Sequence, residues 1–168
     1  AGAVAGSAVI TKVIDRADAK GGGTVFIPDG EYLIDAEVSI NMRNNTNLML
    51  ADNAVLQAKP TSNGIYNVIK INAVSNVEIS GGKIIGERND HTGKQYAHGM
   101  GIGINGSNNL KIHDIYIADC WGDGIYVGAG AAQGPVPGAA AHGVKLQARP
   151  GGQAGGLLQE GQVVEGAQ

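Results

Sequence analysis

With 168 residues the chain has the length of one domain, and its formal net charge of −3 argues against a surface built for a polyanion. Lys and Arg form no cluster and no apolar stretch approaches a membrane span, so neither nucleic acid nor a bilayer is expected as a partner. A single cysteine, Cys120, permits no internal disulfide and no Cys/His metal set, and 28 glycines beside one Phe and one Trp suit stacked small turns.

The chain begins at Ala1 rather than Met, which reads as a processed or cut end, and Ala1 to Ile10 lacks the charged start of a signal peptide. The compartment is therefore not written in these residues. From Ser7 to Lys20 the apolar positions Val9, Ile10, Val13 and Ile14 have helical spacing, with Ser7 as an N-cap and Gly21–Gly23 as the stop. Residues 1–23 thus form an N-terminal segment and a helix that lids whatever follows. Thr24 to Pro28 begins the first strand, and Asp29-Gly30 turns it.

Residues 24–128 are organised as a repeat. Val38-Ser-Ile-Asn41, Ile69-Lys-Ile-Asn72 and Ile102-Gly-Ile-Asn105 can be written beneath one another, spaced by 31 and then 33 residues. Each is followed by a polar turn, a second alternation (Asn47–Leu50, Asn76–Ile79, Asn109–Ile112) and a third strand (Ala54–Leu56, Lys83–Ile85, Tyr116–Ala118). Period-two strands recurring at such intervals with no helix between them predict a parallel β-helix, each strand pairing with its counterpart one coil away. The fold class is therefore all-β: a right-handed single-stranded parallel solenoid of three to four coils with an N-terminal capping helix. Alignment of the three segments predicts inward columns Val38/Ile69/Ile102, Ile40/Ile71/Ile104, Leu48/Val77/Leu110 and Leu50/Ile79/Ile112. The same alignment predicts a structural ladder of stacked amides, Asn41, Asn72 and Asn105.

The helix followed by Gly-Gly-Gly-Thr-Val-Phe-Ile-Pro-Asp-Gly-Glu-Tyr (Gly21–Tyr32) resembles the opening of the pectate-lyase-like right-handed β-helix superfamily. The segment Cys120-Trp-Gly-Asp-Gly-Ile-Tyr-Val-Gly128 is similar to strand-turn segments in its bacterial members. This resemblance covers about residues 7 to 128. It implies pectate lyases, polygalacturonases, mannuronan epimerases and phage tailspikes as relatives, acting on acidic or complex glycans outside the cytoplasm, and hence a secreted or cell-surface setting. Ca²⁺ is implied by the resemblance alone. The epimerase Asp-Pro-His-Glu signature and the polygalacturonase Asp-pair, Gly-His-Gly and Arg-Ile-Lys set are missing, so no catalytic residue carries over position by position.

The longest insertion, Glu87 to Met100, interrupts the second coil and holds Glu87, Arg88, Asp90, His91, Lys94, Tyr96 and His98. Loops on successive coils stack on one face, so Lys59–Asn67 should lie beneath it and Asp119–Gly124 above. These connections would wall a groove in which Trp121, Tyr96, Arg88, Lys94 and His91 bind substrate. Asp119, Asp123 and His98 are the catalytic candidates, since paired carboxylates are the minimum for acid/base hydrolysis of a glycoside. The competing account is that Asp119 ends a strand and Asp123 makes a turn. Glu78 and Lys111 should face each other as a surface ion pair. Tyr126 should lie outward over a gap at Gly103, in a column with Lys70 and Ser39.

Gly124–Gly128 starts a fourth coil, but residues 129–168 contain no Asn, Asp, Ser, Thr, Ile, Phe or Tyr. Such a tail reads as out-of-frame translation, which the other two DNA reading frames would test, or as a natural Gly/Pro/Ala-rich segment. Val144–Leu146, Leu157-Leu158 and Val163-Val164 could add irregular strands. An uncapped solenoid end invites association, so a homo-oligomer, dimer or trimer, is expected. Function is then a β-helix of polysaccharide-enzyme ancestry, lyase, hydrolase or epimerase, with activity doubtful at about three coils, roughly 15 Å tall. The alternatives are an inactive self-associating scaffold and a glycan-binding or structural segment of a tailspike-like protein.

Overall fold

The computed structural model describes residues 4–128, 139–141 and 145–147, with side chains placed over residues 6–128. A two-residue strand β1 (Val4–Ala5) leads into α1 (Ser7–Asp18). The first coil contains β2 (Gly23–Ile27) and β3 (Gly30–Ile34), and the second β4 (Ile40–Asn41), β5 (Thr46–Leu50) and β6 (Ala54–Ala58). Then come β7 (Ile65–Asn72), β8 (Ser75–Ser80) and β9 (Lys83–Ile85), followed by β10 (His98–Asn105), β11 (Asn108–His113) and β12 (Tyr116–Ala118). The last described coil holds β13 (Ile125–Gly128), β14 (Ala139–Ala141) and β15 (Lys145–Gln147).

Every pairing is parallel, and the strands sort into three sheets running the length of the solenoid: β1-β3-β6-β9-β12-β15, β13-β10-β7-β4 and β14-β11-β8-β5-β2. Three sheets closing on one another leave a narrow interior, filled mostly by Ile and Leu. Ile40, Ile69, Ile71, Ile79, Ile84 and Ile102 are all fully buried. Each such side chain contributes about 1.5–3 kcal/mol by leaving water.

The helix closes the first coil as expected, although with a narrower face. Ile10 and Ile14 are buried, while Val9 and Val13 are exposed, because a helix lying across the end of a narrow solenoid offers it one stripe and not two. Gly6 takes the N-cap position. Ser7 instead turns inward, its hydroxyl donating to the Asp35 carbonyl and accepting the Asp35 N–H at 2.7 Å, which ties the helix to the first coil.

Between the third and fourth rows of strands the expected register holds, with Ile69 against Ile102, Val77 against Leu110 and Asn72 against Asn105. One coil earlier it does not. Ile40 pairs with Ile69 and Asn41 with Lys70, Leu48 stands over Ile79, and Leu56 over Ile84. Val38 is consequently exposed and Met42 buried. The slip is of two residues at Ile40 and at Leu48, which keeps each on its own face and so escapes alternation, and of one residue at Leu56, aligned in sequence with Ile85; turn geometry decides both. Ser39, at φ 63°, is part of the turn that sets it.

The correction moves the amide ladder. Asn41 turns back on its own bend, its Nδ2 donating to the carbonyls of Val38 and Ser39, and is out of line with Asn72 and Asn105. The hydrogen-bonded ladder is instead Asn45, Asn76 and Asn109. Asn109 Nδ2 donates to Asn76 Oδ1 at 2.5 Å and Asn76 Nδ2 to Asn45 Oδ1 at 2.7 Å. All three have φ between 51° and 58°, the left-handed region that asparagine tolerates better than most residues.

Beyond Gly128 the solenoid does not stop where its sequence pattern stops: β14 pairs with Leu110–Ile112 and β15 with Tyr116–Ala118. Backbone pairing needs no particular side chain, which is why a stretch lacking the repeat can extend it. The strand anticipated near Val144–Leu146 is thus present as Lys145–Gln147, whereas Leu157-Leu158 and Val163-Val164 lie outside the described residues.

Candidate functional site

The insertion between Ile85 and His98 folds back against the coils on either side. Arg88 N–H donates to the Asp119 carbonyl, Thr92 N–H to the Thr61 carbonyl and Gly122 N–H to the Gly99 carbonyl at 2.7 Å. The three connections predicted to meet therefore do meet. Two glycines make the approach close enough. A Cβ on Gly64 would collide with the carbonyl oxygens of Gln95 and Tyr96, and one on Gly122 with the carbonyl oxygen of Ala97.

At the heart of the insertion lies a polar knot that sequence reasoning did not single out. Glu87 is 2% exposed, and its carboxylate accepts a hydrogen bond from the Tyr66 hydroxyl. His91 Nδ1 lies 3.0 Å from both Glu87 oxygens, with both side chains wholly buried. The imidazole stacks on Trp121, with centroids 3.9 Å apart and planes inclined by 15°. Burial and the adjacent carboxylate push the Tyr66 phenol far above its ordinary range, so it stays protonated and donates. The four-residue spacing of Glu87 and His91 was the only trace of this knot in the sequence. Tyr66 left none, because it falls in the Lys59–Asn67 connection, where no spacing ties it to Glu87.

The candidate binding residues divide accordingly. His91 is sealed inside the knot and out of reach of a substrate. Arg88 is half-buried and acts as a staple, Nε donating to the Cys120 carbonyl at 2.6 Å and Nη2 to that of Gly122. Trp121 has one face against His91, and its indole N–H donates to the Tyr96 carbonyl at 2.6 Å. Tyr96, 64% exposed, and Lys94 remain open to solvent.

The catalytic candidates are arranged unevenly. Asp119 is exposed, with φ 53°, and among the described residues no hydrogen bond joins it to Asp123. Asp123 is half-buried, and desolvation pushes its carboxyl above the ordinary range while the nearby His98 pulls the other way. His98 is exposed, and its ring lies 6.3 Å from that of Tyr96 at 28°. Asp123, His98 and Tyr96 thus lie where the insertion meets the last turn, His98 near enough to act on the Asp123 carboxyl by its charge and 6.3 Å from the Tyr96 ring. That trio can donate a proton, accept one and stack on a sugar.

Elsewhere the expected ion pair forms. Lys111 Nζ lies 3.4 Å from Glu78 Oε1, joined by His113 Nε2 at 2.6 Å, while His113 Nδ1 meets Asp114 at 2.7 Å. Tyr126 pairs in register with Gly103, but the group that overlies Gly103 is the Asn67 amide, and Ser39 is out of the column. Cys120 is buried and its thiol is pushed up to about 12, chiefly by desolvation, consistent with a packing role. Among the described residues, no group of three or more His, Cys, Asp and Glu side chains is placed to hold a metal ion.

No protein-family model matches the chain. It is similar to two uncharacterised Bacillus subtilis (strain 168) proteins. One is YclG, 36% identical over 135 residues, which span 70% of this chain and 23% of that protein. The other is the SPbeta prophage-derived YorA, 34% identical over 123 residues, 62% of this chain and 21% of that protein. The chain thus spans less than a quarter of the length of either relative. Among solved structures it is similar to a candidate glycosyl hydrolase from Parabacteroides merdae ATCC 43184, with TM-score 0.59 and 19% identity over 83% of this chain and 66% of the other. It is also similar to the Azotobacter vinelandii mannuronan C-5 epimerase AlgE4 A-module, with TM-score 0.56 and 18% identity over 86% and 38% of the two chains. A 1,3-alpha-1,4-beta-D-galactose-4-sulfate-3,6-anhydro-D-galactose-2-sulfate 4 galactohydrolase gives TM-score 0.55 and 17% identity over 83% and 39%. Parallel sheets, the capping helix and these neighbours together make the chain a right-handed parallel β-helix.

Proposed function

We propose that the chain is the part of a polysaccharide-active β-helix that carries an acid/base site for acidic glycans, a lyase, hydrolase or epimerase site, at the mouth formed by Asp123, His98 and Tyr96. The observation that carries this reading is the half-buried Asp123, whose carboxyl desolvation shifts upward, with the exposed His98 near enough to oppose that shift by its charge. Glycan chemistry needs one group that gives a proton and one that takes it, with a flat surface to orient the ring. Asp119 is the second carboxylate of a hydrolytic version of the site, and His98 the base of an eliminative one. Ca²⁺ enters this reading only through the fold's resemblance to lyases. Alginate, pectate, polygalacturonate and neutral glycans, followed by ultraviolet absorbance for unsaturated products and by reducing ends, form the test. Turnover on one of them that falls roughly 10²–10⁴-fold in Asp123→Asn supports the reading. Turnover unchanged by that substitution refutes it.

A second reading has its own observation in favour: Arg88, His91 Nδ1 and the Trp121 N–H all direct their hydrogen bonds into the protein. This is what a scaffold would do. Such a scaffold would catalyse nothing and would associate into a dimer or trimer through its C-terminal coils, or serve as a tailspike-like stem. Silence across the glycan panel, with an oligomeric mass in light scattering, is the outcome that selects it.

A further inference from the structure

The insertion spends a good deal of ordered structure on one exposed ring. Tyr96 is the most exposed large apolar side chain among the described residues, yet its backbone sits at φ 54°, a left-handed conformation unusual for a bulky residue. A loop that merely needed to close could place glycine or asparagine there. Instead the Tyr96 carbonyl is gripped by the Trp121 indole N–H at 2.6 Å, and the indole lies flat on His91. His91 is fixed in turn by Glu87, and Glu87 by the Tyr66 hydroxyl, which comes from the strand below. His91 Nε2 is buried without a hydrogen-bond partner among the described residues. Gly64 beneath and Gly122 above close the clamp on Gln95–Ala97.

From this chain of contacts we infer that Tyr96 is a preorganised stacking platform for a sugar ring, positioned from inside the protein by Trp121, His91, Glu87 and Tyr66. What the clamp fixes is the Tyr96 backbone, and hence the place from which its ring projects; a loop already ordered before binding has less freedom to lose. The shelf extends to His98, 6.3 Å away, and to Ile65, which pairs in register with His98 and is 58% exposed. Lys94, exposed two residues earlier, is the cation of the same segment and suits a uronate. This inference rests on the acid/base reading for the choice of ligand, but it concerns binding and not turnover.

Binding of the full chain to oligogalacturonate, oligoalginate and neutral galactan fragments, measured by calorimetry, separates the two. The wild type should bind an acidic oligosaccharide and quench or shift the emission of Trp121, its single tryptophan. Tyr96→Ala should weaken that binding about tenfold and Tyr96→Phe should keep it. Trp121→Phe retains a ring over His91 but has no N–H for the Tyr96 carbonyl, so it should weaken binding severalfold with an unchanged far-ultraviolet spectrum. Wild-type protein that binds none of the three fragments, or Tyr96→Ala that binds like wild type, overturns the platform. Trp121→Phe that binds like wild type overturns its positioning from within. Binding that depends on Tyr96 without any turnover would remove the enzymatic reading and leave the platform standing.

Discussion

Inside the coils Ile69, Ile84 and Ile102 meet other hydrocarbon and are fully buried, whereas in the insertion an equally buried Glu87 meets a phenol, an imidazole and a backbone N–H. The first region is held by area removed from water, and any aliphatic side chain of similar volume would serve it. The second is held by direction: each partner must present one particular atom, because a buried carboxylate left unmet costs more than the bonds contribute when made. The repeat could therefore be read from its pattern, while the knot could not.

The sharpest way to break this comparison is to damage each region once and measure urea unfolding. Ile84→Ala opens a cavity in the solenoid and should cost about 2–5 kcal/mol with little change in Trp121 emission. Glu87→Ala leaves the Tyr66 hydroxyl and His91 Nδ1 without their carboxylate, and should cost about 1–3 kcal/mol while changing the emission of the stacked indole. Equal emission changes in the two variants would mean that knot and core are one cooperative unit.

A smaller effect tests where the amide ladder runs. Asn76→Ala breaks two side-chain bonds and places alanine at φ 58°, and should cost about 1 kcal/mol or somewhat more. Asn72→Ala, at an exposed position in register with Asn105, should stay within about 0.5 kcal/mol of wild type. The reverse order would restore the Asn41/Asn72/Asn105 ladder.

The smallest effect is electrostatic and lies on the outer face. Hydrogen bonds donated to Asp114 and Glu78 hold His113 above the ordinary imidazole range, and those accepted from His113 and Lys111 hold Glu78 below the ordinary carboxylate range. The raised His113 adds stability that is present below its unfolded pKa and is lost as pH rises through the folded one. The depressed Glu78 adds stability present above its unfolded pKa and lost as pH falls through the folded one. Their sum is greatest between roughly pH 4.3 and 6.5. Solvent screening keeps it shallow, and His113→Gln should flatten the stability profile on both sides. A profile unaltered by that substitution would show the cluster to be inert.

Taken alone, the sequence determined the parallel β-helix, the capping helix, the three-strand coil and the convergence of residues 59–67, 87–100 and 119–124 on one face. These follow from alternation, period and turn residues, which are properties of neighbours along the chain. Only the tertiary structure decided the register across the coil of Ile40, the course of the Asn45/Asn76/Asn109 ladder, and which candidates face solvent. A two-residue slip leaves the pattern of faces unchanged, so no count of apolar positions could have placed Asn41 beside Lys70. Asp123 was legible as a residue of the connection above the insertion, and Tyr96 and His98 as residues of the insertion itself. That His91 and Arg88 are spent within it depends on atoms brought together from three coils, and that information lies in the folded chain and not in any one segment of it.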